Sequence, residues 1–234
     1  MAHFSKGRVA GVIRRYYILQ LRDLNRIFDI AVWPFFDFMV GGCIALWLTR
    51  DTALSYAAYI PLFGIFFWQL LARPNGDIAA FVLEDVWSKN LSNVLCTPLL
   101  RREWFSAFMI LSVVRTSVVA LVGIVTMWCL QSISIGIFGW WLVPMVANLV
   151  LTGWIFGLFS ASIVLRWGSQ ATSLVFSIWS LAPLCGVFNP LDIAPWWMQI
   201  MGKIFPMTYV FMAIQQFLKT GVMESSLLLT SLLF

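Results

Sequence analysis

Charge and catalytic side chains are both scarce in this chain of 234 residues. Only 11% of the residues are charged, against about 25% in an average soluble protein. The single histidine, His3, lies at the N-terminus, which excludes histidine-based metal sites and catalytic triads elsewhere. The glycine-rich motifs that hold ATP phosphates or dinucleotides do not occur. The sequence therefore predicts no catalytic residue, no metal site and no cofactor bound by this chain.

Long apolar runs are what the sequence has instead, and 61% of its residues are hydrophobic. Runs of roughly membrane-spanning length predict spans at about 27–48, 54–71, 105–130, 140–165 and 171–188. A sixth run begins at Ser225 and covers about half a membrane thickness by Phe234. We therefore expect an all-α integral membrane protein, a bundle of six spans whose final span is incomplete in this sequence.

The N-terminal 26 residues are expected to form a cytoplasmic amphipathic helix at the membrane interface, ahead of a transmembrane domain at 27–234. Apolar residues recur there at helical spacing, while four arginines fall on another face. These arginines are Arg8, Arg15, Arg22 and Arg26. Their position beside an apolar run favours contact with lipid headgroups over nucleic-acid binding. A docking surface for a protein partner on the arginine face is the alternative.

The distribution of positive charge predicts the orientation of the chain. The longest polar stretch, residues 73–104, holds Arg73, Lys89, Arg101 and Arg102 and is therefore expected in the cytoplasm. The turn at 131–136 contains no Lys or Arg and is expected outside. Alternation of the spans then puts the N-terminus in the cytoplasm.

Prolines divide the segment 189–224 into pieces of about ten residues, far below the ~20 that a membrane span needs. The favoured interpretation is a pair of re-entrant helices that dip in from the outer surface. Its characteristic residues are Pro195, Trp196, Trp197 and Pro206. In the alternative, Trp196 to Leu218 crosses the membrane as one helix despite Pro206.

Two ionisable residues, Asp37 and Arg115, lie deep in predicted spans, where an unpaired charge is costly. Both are about ten residues from the cytoplasmic start of their helices, or about 15 Å at 1.5 Å per residue. The sequence therefore predicts an ion pair between the first and third spans. A role in fixing helix register is favoured over a direct role in substrate handling.

Small residues recur at four-residue intervals in the fourth predicted span, at Gly153, Gly157 and Ala161. Such a ladder lets another helix approach closely, because no bulky side chain separates the two backbones. We expect a tight helix contact along this face.

Two segments and the order of the spans carry a resemblance to a known family. The first segment runs from Glu84 to Leu99, with the sequence EDVWSKNLSNVLCTPL, and the second from Cys185 to Thr208. Together with a basic N-terminal helix, two spans, a long cytoplasmic loop and a late proline-broken pair, they resemble the permease subunits of type-2 ABC exporters. That family includes polysaccharide, lipid and drug exporters.

The resemblance implies a coupling helix at about 87–95 that docks on a cytosolic ABC ATPase. The residues expected at this contact are Glu84, Asp85, Trp87, Lys89, Asn90, Leu91 and Leu95. The apolar side chains would enter a groove of the partner, and the charged ones would lie at its rim. The resemblance further implies two ATPase copies that bind ATP and Mg²⁺, a second permease copy in a homodimer, and the bacterial inner membrane as location.

We therefore expect a permease subunit that is not itself an enzyme. Its cargo is expected to be an amphipathic or hydrophobic molecule, drug-like or lipid-like, with a lipid-linked polysaccharide of the O-antigen type as the alternative. An ATPase-independent channel or membrane scaffold is a further alternative, and an intramembrane enzyme another.

Overall fold

The computed structural model describes residues 4–51, 55–131, 135–173 and 177–233. The chain is about 88% helical, and no strand occurs in these ranges, so the predicted all-α class is confirmed. The α-helices are α1 (Lys6–Leu21), α2 (Leu24–Asp51), α3 (Ser55–Trp87), α4 (Leu91–Leu95), α5 (Arg101–Gln131), α6 (Leu142–Trp167), α7 (Leu181–Leu184), α8 (Trp196–Lys203), α9 (Pro206–Thr220) and α10 (Ser225–Leu233). Short 3₁₀ segments lie at Ile135–Trp141, Gly168–Ala171, Ser177–Ser180 and Leu191–Ile193.

Within the described ranges, three helical segments are long and apolar enough to cross a membrane: Leu24–Thr49, Arg101–Leu130 and Ile135–Trp167. They correspond to the predicted first, third and fourth spans. Large apolar side chains on them face outward, such as Phe36, Leu121 and Ile155, each more than half exposed, which suits contact with lipid tails. The protein therefore has the character of a membrane protein, while the count of six spans stays a prediction.

Helix α3 overturns the predicted boundary between the second span and the polar loop. The loop was expected from Arg73, but α3 continues as one helix of 33 residues to Trp87, with Pro61 and Pro74 inside it. At 1.5 Å per residue its length is about 50 Å. The polar residues after position 72 stay helical because they find ion-pair and hydrogen-bond partners within the bundle.

Helix α3 is the centre of the bundle and packs against α2, α5 and α6. The contact with α6 is close because glycine faces it. A Cβ atom at Gly153 would lie 2.5 Å from the carbonyl oxygen of Leu71, and one at Gly157 would lie 3.2 Å from the Cα of Asn75. The predicted small-residue contact is therefore confirmed, and its partner is α3 of the same chain.

The predicted fifth span, 171–188, is not one continuous helix in the residues that the structure describes. Residues 174–176 lie outside them, and two 3₁₀ segments and the four-residue helix α7 cover most of the rest. The chain turns after α7 at Gly186, whose φ of 74° is in the left-handed region that glycine tolerates. A proline within α7, Pro183, removes one helical hydrogen-bond donor.

The proline-rich segment forms two separate helices. Helix α8 has eight residues and α9 has fifteen, about 12 Å and 22 Å. The break between them is held by the Thr208 hydroxyl, which donates to the carbonyl of Gly202 at 2.6 Å. Pro206 occupies the first position of α9, where its missing N–H is no loss. The single-helix alternative for 196–218 is therefore wrong, and a re-entrant position in the membrane stays a prediction.

The last helix, α10, packs against α9 and α6. The Asn148 side-chain amide on α6 donates to the Ser231 hydroxyl on α10 at 2.6 Å, and both residues are buried. The run predicted to begin a sixth span is thus helical and attached to the bundle by a buried hydrogen bond.

The α3–α6 contact predicts opposite effects for the same substitution at two helical glycines. Gly153→Ala places a methyl group against the backbone of α3 and should lower the free energy of unfolding by about 1–3 kcal/mol. Gly76→Ala on α3 meets nothing within 4 Å and should leave stability unchanged or raise it by up to about 1 kcal/mol. Unfolding of the purified variants in detergent measures both. Equal destabilisation would contradict the close approach.

Candidate functional site

Helix α1 is held against the bundle by ion pairs. Arg8 lies 2.9 Å from Glu103 at the start of α5, and Arg15 lies 2.8 Å from Asp85 near the end of α3. The side chains of both acids are fully buried, whereas both guanidinium groups are partly exposed. Arg8 also donates to the carbonyl oxygen of Pro98 at 2.7 Å. These arginines therefore point into the protein and not towards lipid headgroups.

Tyr16 adds a neutral contact to the same attachment. Its ring packs against those of Phe81 and Phe108, which also contact each other, and its hydroxyl donates to the second carboxylate oxygen of Asp85. Burial, together with the hydrogen bond to Asp85, raises the pKa of Tyr16 well above its ordinary value. The hydroxyl therefore stays protonated and remains a donor.

Arg26 closes this attachment at the start of α2. It makes two hydrogen bonds of 2.7 Å each to the two oxygens of Glu84, and a further one of 3.0 Å to Asp23. We call these contacts the α1 clamp, formed by Arg8, Arg15, Tyr16 and Arg26 with Glu84, Asp85 and Glu103. It ties α1 and the start of α2 to the far end of α3 and the near end of α5.

The prediction of a single arginine face is corrected by the clamp. Helix α1 ends at Leu21, so Arg26 belongs to the next helix, and Arg22 is exposed just after α1. The outer face of α1 carries Arg14, Tyr17 and Leu21, all exposed. The exposed face of α1 is therefore the one with Arg14, Tyr17 and Leu21, and not the face predicted from the four arginines.

The elbow, residues 88–100, joins α3 to α5 and contains the short helix α4. The chain reverses at Lys89, whose φ is 52°, and the N–H of Asn90 donates back to the carbonyl of Asp85 at 3.0 Å. This is the pattern that commonly ends a helix. Trp87, the last residue of α3, is left 60% exposed at this corner.

The structure divides the predicted coupling residues into two groups. Glu84 and Asp85 are engaged in the α1 clamp, and Leu91 packs partly buried against the chain's own core, so these three do not form an outward edge. Trp87 and Lys89 are exposed, and Asn90 is half-buried. The side chain of Leu95 lies outside the described residues. Beside Trp87, the last residue of α3, the exposed residues of the elbow are Ser88, Lys89, Ser92, Asn93, Cys96, Thr97 and Pro98.

A cavity of about 1080 Å³ lies beside α3, and we call it the α2–α3–α5 cavity. Residues of α2 line it from Asn25 to Asp37, and residues of α3 from Ala72 to Trp87, followed by Ser88. Its charged lining residues are Arg26, Asp29, Asp37, Arg73, Asp77, Glu84 and Arg115. Such a density of charge is unusual beside membrane-spanning helices and makes this cavity the candidate functional region.

The predicted ion pair between Asp37 and Arg115 is wrong. Arg115 lies 2.8 Å from Asp77 and 3.3 Å from Asp29. Arg73 binds the same Asp29, at 2.8 Å to its carboxylate and 2.6 Å to its carbonyl oxygen. Because α3 stays helical beyond position 71, Arg73 and Asp77 lie between α2 and α5 and supply the partners.

Asp37 has a different partner, the side-chain amide of Gln69, which donates to it at 2.6 Å. Across the described ranges, no Lys or Arg is within ion-pair distance of Asp37. Several buried polar atoms nearby also have no partner in the protein: Gln69 Oε1, Arg73 Nε, Asn75 Nδ2, Asp77 Oδ2 and Arg115 Nε. Four of these five atoms belong to residues that line the cavity, but the atoms themselves are fully buried and do not face it.

The sequence matches no protein-family model, and neither a curated protein nor a solved structure is similar to it. The resemblance to type-2 ABC exporters therefore depends on the two segments and the order of the spans. It stays a prediction.

Sequence reasoning missed Asp77 and Glu103, and each had a local signal. Asp77 follows Arg73 by four residues, which places both on one face if the helix continues. Glu103 follows Leu100 by three residues, the spacing of a capping box, and its carboxylate accepts from the Leu100 N–H at 2.9 Å. Neither signal identifies the arginine that completes the pair, since that residue comes from a distant part of the chain.

The Asp77–Arg115 pair predicts strong coupling between two substitutions. Asp77→Leu or Arg115→Leu alone leaves a buried charge without its partner and should cost about 3–5 kcal/mol of stability. The double variant should lose less stability than the sum of the losses in the two single variants, because no isolated charge remains from this pair. Unfolding measurements on the four proteins check this. Asp37→Leu is the control, because its effect on stability should simply add to that of Arg115→Leu. Strong coupling between these two substitutions would instead support the Asp37–Arg115 pair predicted from the sequence.

The α1 clamp predicts that adjacent tyrosines respond differently to loss of the hydroxyl. Tyr16→Phe removes the hydrogen bond to the buried carboxylate of Asp85 and should cost about 1.5–3 kcal/mol. Tyr17 is 51% exposed, and Tyr17→Phe should change stability by less than about 0.5 kcal/mol. Thermal unfolding and the rate of proteolysis near Arg22 measure the effect. Equal behaviour of the two variants would contradict the clamp.

Proposed function

We propose that this chain is the membrane-spanning permease subunit of an ATP-driven exporter, and that the elbow is where its ATPase subunit binds. The proposal depends on one observation: the exposed corner at Trp87 is the end of α3, the long central helix of the bundle. Trp87 presents an exposed indole at the end of α3, and the α1 clamp holds that end through two ion pairs, Arg15–Asp85 and Arg26–Glu84.

The clamp makes the corner suitable for transmitting a movement. Glu84 and Asp85 are bonded to residues of α2 and α1, so a force applied at the elbow reaches three helices together. Helix α3, about 50 Å long in all, runs from this corner past the cavity in contact with α2, α5 and α6. A partner that binds ATP could therefore bias two arrangements of this bundle without any nucleotide contact in this chain.

The surface of the elbow fits a protein partner in chemical terms. An exposed tryptophan beside a lysine and small polar residues resembles the anchor and rim of a protein interface. Ser88, Ser92 and Asn93 supply hydrogen-bonding groups to this exposed surface, and Lys89 supplies the charge. The coupling residues we propose are therefore Trp87, Ser88, Lys89, Ser92 and Asn93, and this set leaves out Glu84, Asp85 and Leu91, which face inward.

The charges also support the proposed orientation. The α1 clamp brings α1, the elbow and the start of α5 to the same end of the bundle, and this end carries Lys6, Arg8, Arg14, Arg15, Lys89, Arg101 and Arg102. Positive charge of this density favours the cytoplasmic side. We place the N-terminus there, in a bacterial inner membrane, with two ATPase copies and a second permease copy completing the exporter.

A single substitution at the corner tests the docking site. Trp87→Ala should reduce recovery of the ATPase with the affinity-tagged chain at least tenfold, since an interface anchor of this kind contributes about 2 kcal/mol or more. The measurement is purification from native membranes, followed by ATP hydrolysis in the eluate and mass spectrometry for a subunit with a P-loop.

Trp140→Ala is the matched control, because Trp140 is 86% exposed at the predicted outer end of the fourth span, and it should leave recovery unchanged. Recovery of the ATPase with Trp87→Ala at the wild-type level would refute the docking site. If wild-type chain yields no P-loop subunit at all, the exporter proposal fails and a channel or scaffold is favoured.

A further inference from the structure

The charges that line the α2–α3–α5 cavity do not balance. The carboxylates are those of Asp29, Asp37, Asp77 and Glu84, and the guanidinium groups are those of Arg26, Arg73 and Arg115. Glu84 is bound by Arg26, and Asp29 and Asp77 are bound by Arg73 and Arg115. Asp37 is the carboxylate left over, so the cavity wall carries a surplus of one negative charge.

Asp37 is placed to face a ligand rather than the bulk protein. It is half-buried, and the hydrogen bond from Gln69 leaves most of its acceptor capacity unused. Gln69 is itself 1% exposed, and its amide oxygen has no partner. Arg73 is near enough to attract Asp37 electrostatically, but its guanidinium is already bonded to Asp29. Among the described residues, Asp37 is therefore an acceptor with no ion-pair partner of its own.

Three tryptophans line the same cavity: Trp33, Trp179 and, at its elbow end, Trp87. Trp33 precedes Asp37 by four residues on α2, which puts the two side chains on one face of that helix. Trp33 is 64% exposed and Trp179 is 43% exposed, and both contribute to the cavity wall. Tryptophan is the aromatic side chain that attracts organic cations most strongly. An indole next to an unpaired carboxylate is a combination that suits an ammonium group on an apolar body.

The size of the cavity fits a ligand of that kind. Its volume of about 1080 Å³ is at the upper end of the ~300–1,000 Å³ typical of small-molecule sites. From Asn25 to Asp37 its wall extends along twelve residues of α2, or about 18 Å. A molecule with an apolar portion and one charged end can therefore lie along α2 with the charge at Asp37.

We propose that the α2–α3–α5 cavity binds an amphipathic organic monocation, with its cationic group at Asp37 and its apolar part against Trp33 and Trp179. A half-buried carboxylate without a counter-ion is costly beside lipid, and the ligand's charge offsets that cost. This ligand would be the cargo of the exporter proposed above. Only its role as cargo rests on that proposed function, whereas its binding to the cavity does not. An anionic ligand is disfavoured, because Arg26, Arg73 and Arg115 are all bound to carboxylates.

Two probes of nearly equal shape and opposite charge test the proposal: tetraphenylphosphonium and tetraphenylborate. Their binding to the purified full chain in lipid nanodiscs is measured by equilibrium dialysis, with empty nanodiscs subtracted. We expect saturable binding of the phosphonium and none of the borate. Asp37→Asn should weaken phosphonium binding at least tenfold, whereas Asp37→Glu should retain it within about threefold.

Trp33→Ala should weaken phosphonium binding and Trp33→Phe should preserve part of it, which separates the aromatic contact from the charge. Equal binding of phosphonium and borate, or unchanged phosphonium binding in Asp37→Asn, overturns the proposal. Folding is checked by thermal unfolding of each variant, and Asp37→Glu keeps the test valid if Asp37→Asn is unstable. The assay needs no ATPase, so its outcome is independent of whether Trp87→Ala releases one.

Discussion

The structure depends on the pairing of charges along the second half of α3. A helix that carries Arg73, Asp77, Glu84 and Asp85 into a bundle of apolar helices is stable only if each charge meets an opposite one, because an unpaired charge in such surroundings costs several kcal/mol. Arginines from three other helices or helix starts supply the partners: Arg15, Arg26 and Arg115. These pairs determine where α1, α2 and α5 lie relative to α3.

This pairing also explains how the second half of α3 connects the exposed corner at Trp87 with the α2–α3–α5 cavity. The acids Glu84 and Asp85 anchor the elbow through the α1 clamp, and two turns earlier Asp77 lies on the cavity wall. All of them are on one continuous helix. Trp87 itself lines the cavity, so α3 connects the exposed corner and the cavity directly, as the proposed exporter requires.

Particular elements show how far the sequence could predict the fold. The apolar runs at 27–48, 105–130 and 140–165 became α2, α5 and α6, because a run of that length and composition has few alternatives to a helix beside lipid. The glycine ladder of α6 was recognisable because its spacing is a property of one helix. The proline break at Pro206 was recognisable for the same local reason. The span at 171–188 was not, since its composition does not reveal that Gly186 and the 3₁₀ segments interrupt it.

By itself, the amino-acid order determined the helical class, the membrane character, the helix starts at proline and the close-packed face of α6, since each follows from hydropathy or backbone geometry over a few turns. Only the tertiary structure decided that α3 runs on to Trp87, that Arg115 meets Asp77 rather than Asp37, and that Glu84 and Asp85 face inward. An ion pair is chosen by distance in space, and residues separated by 38 or 70 positions in the chain, as Asp77–Arg115 and Arg15–Asp85 are, become neighbours only once the helices have packed.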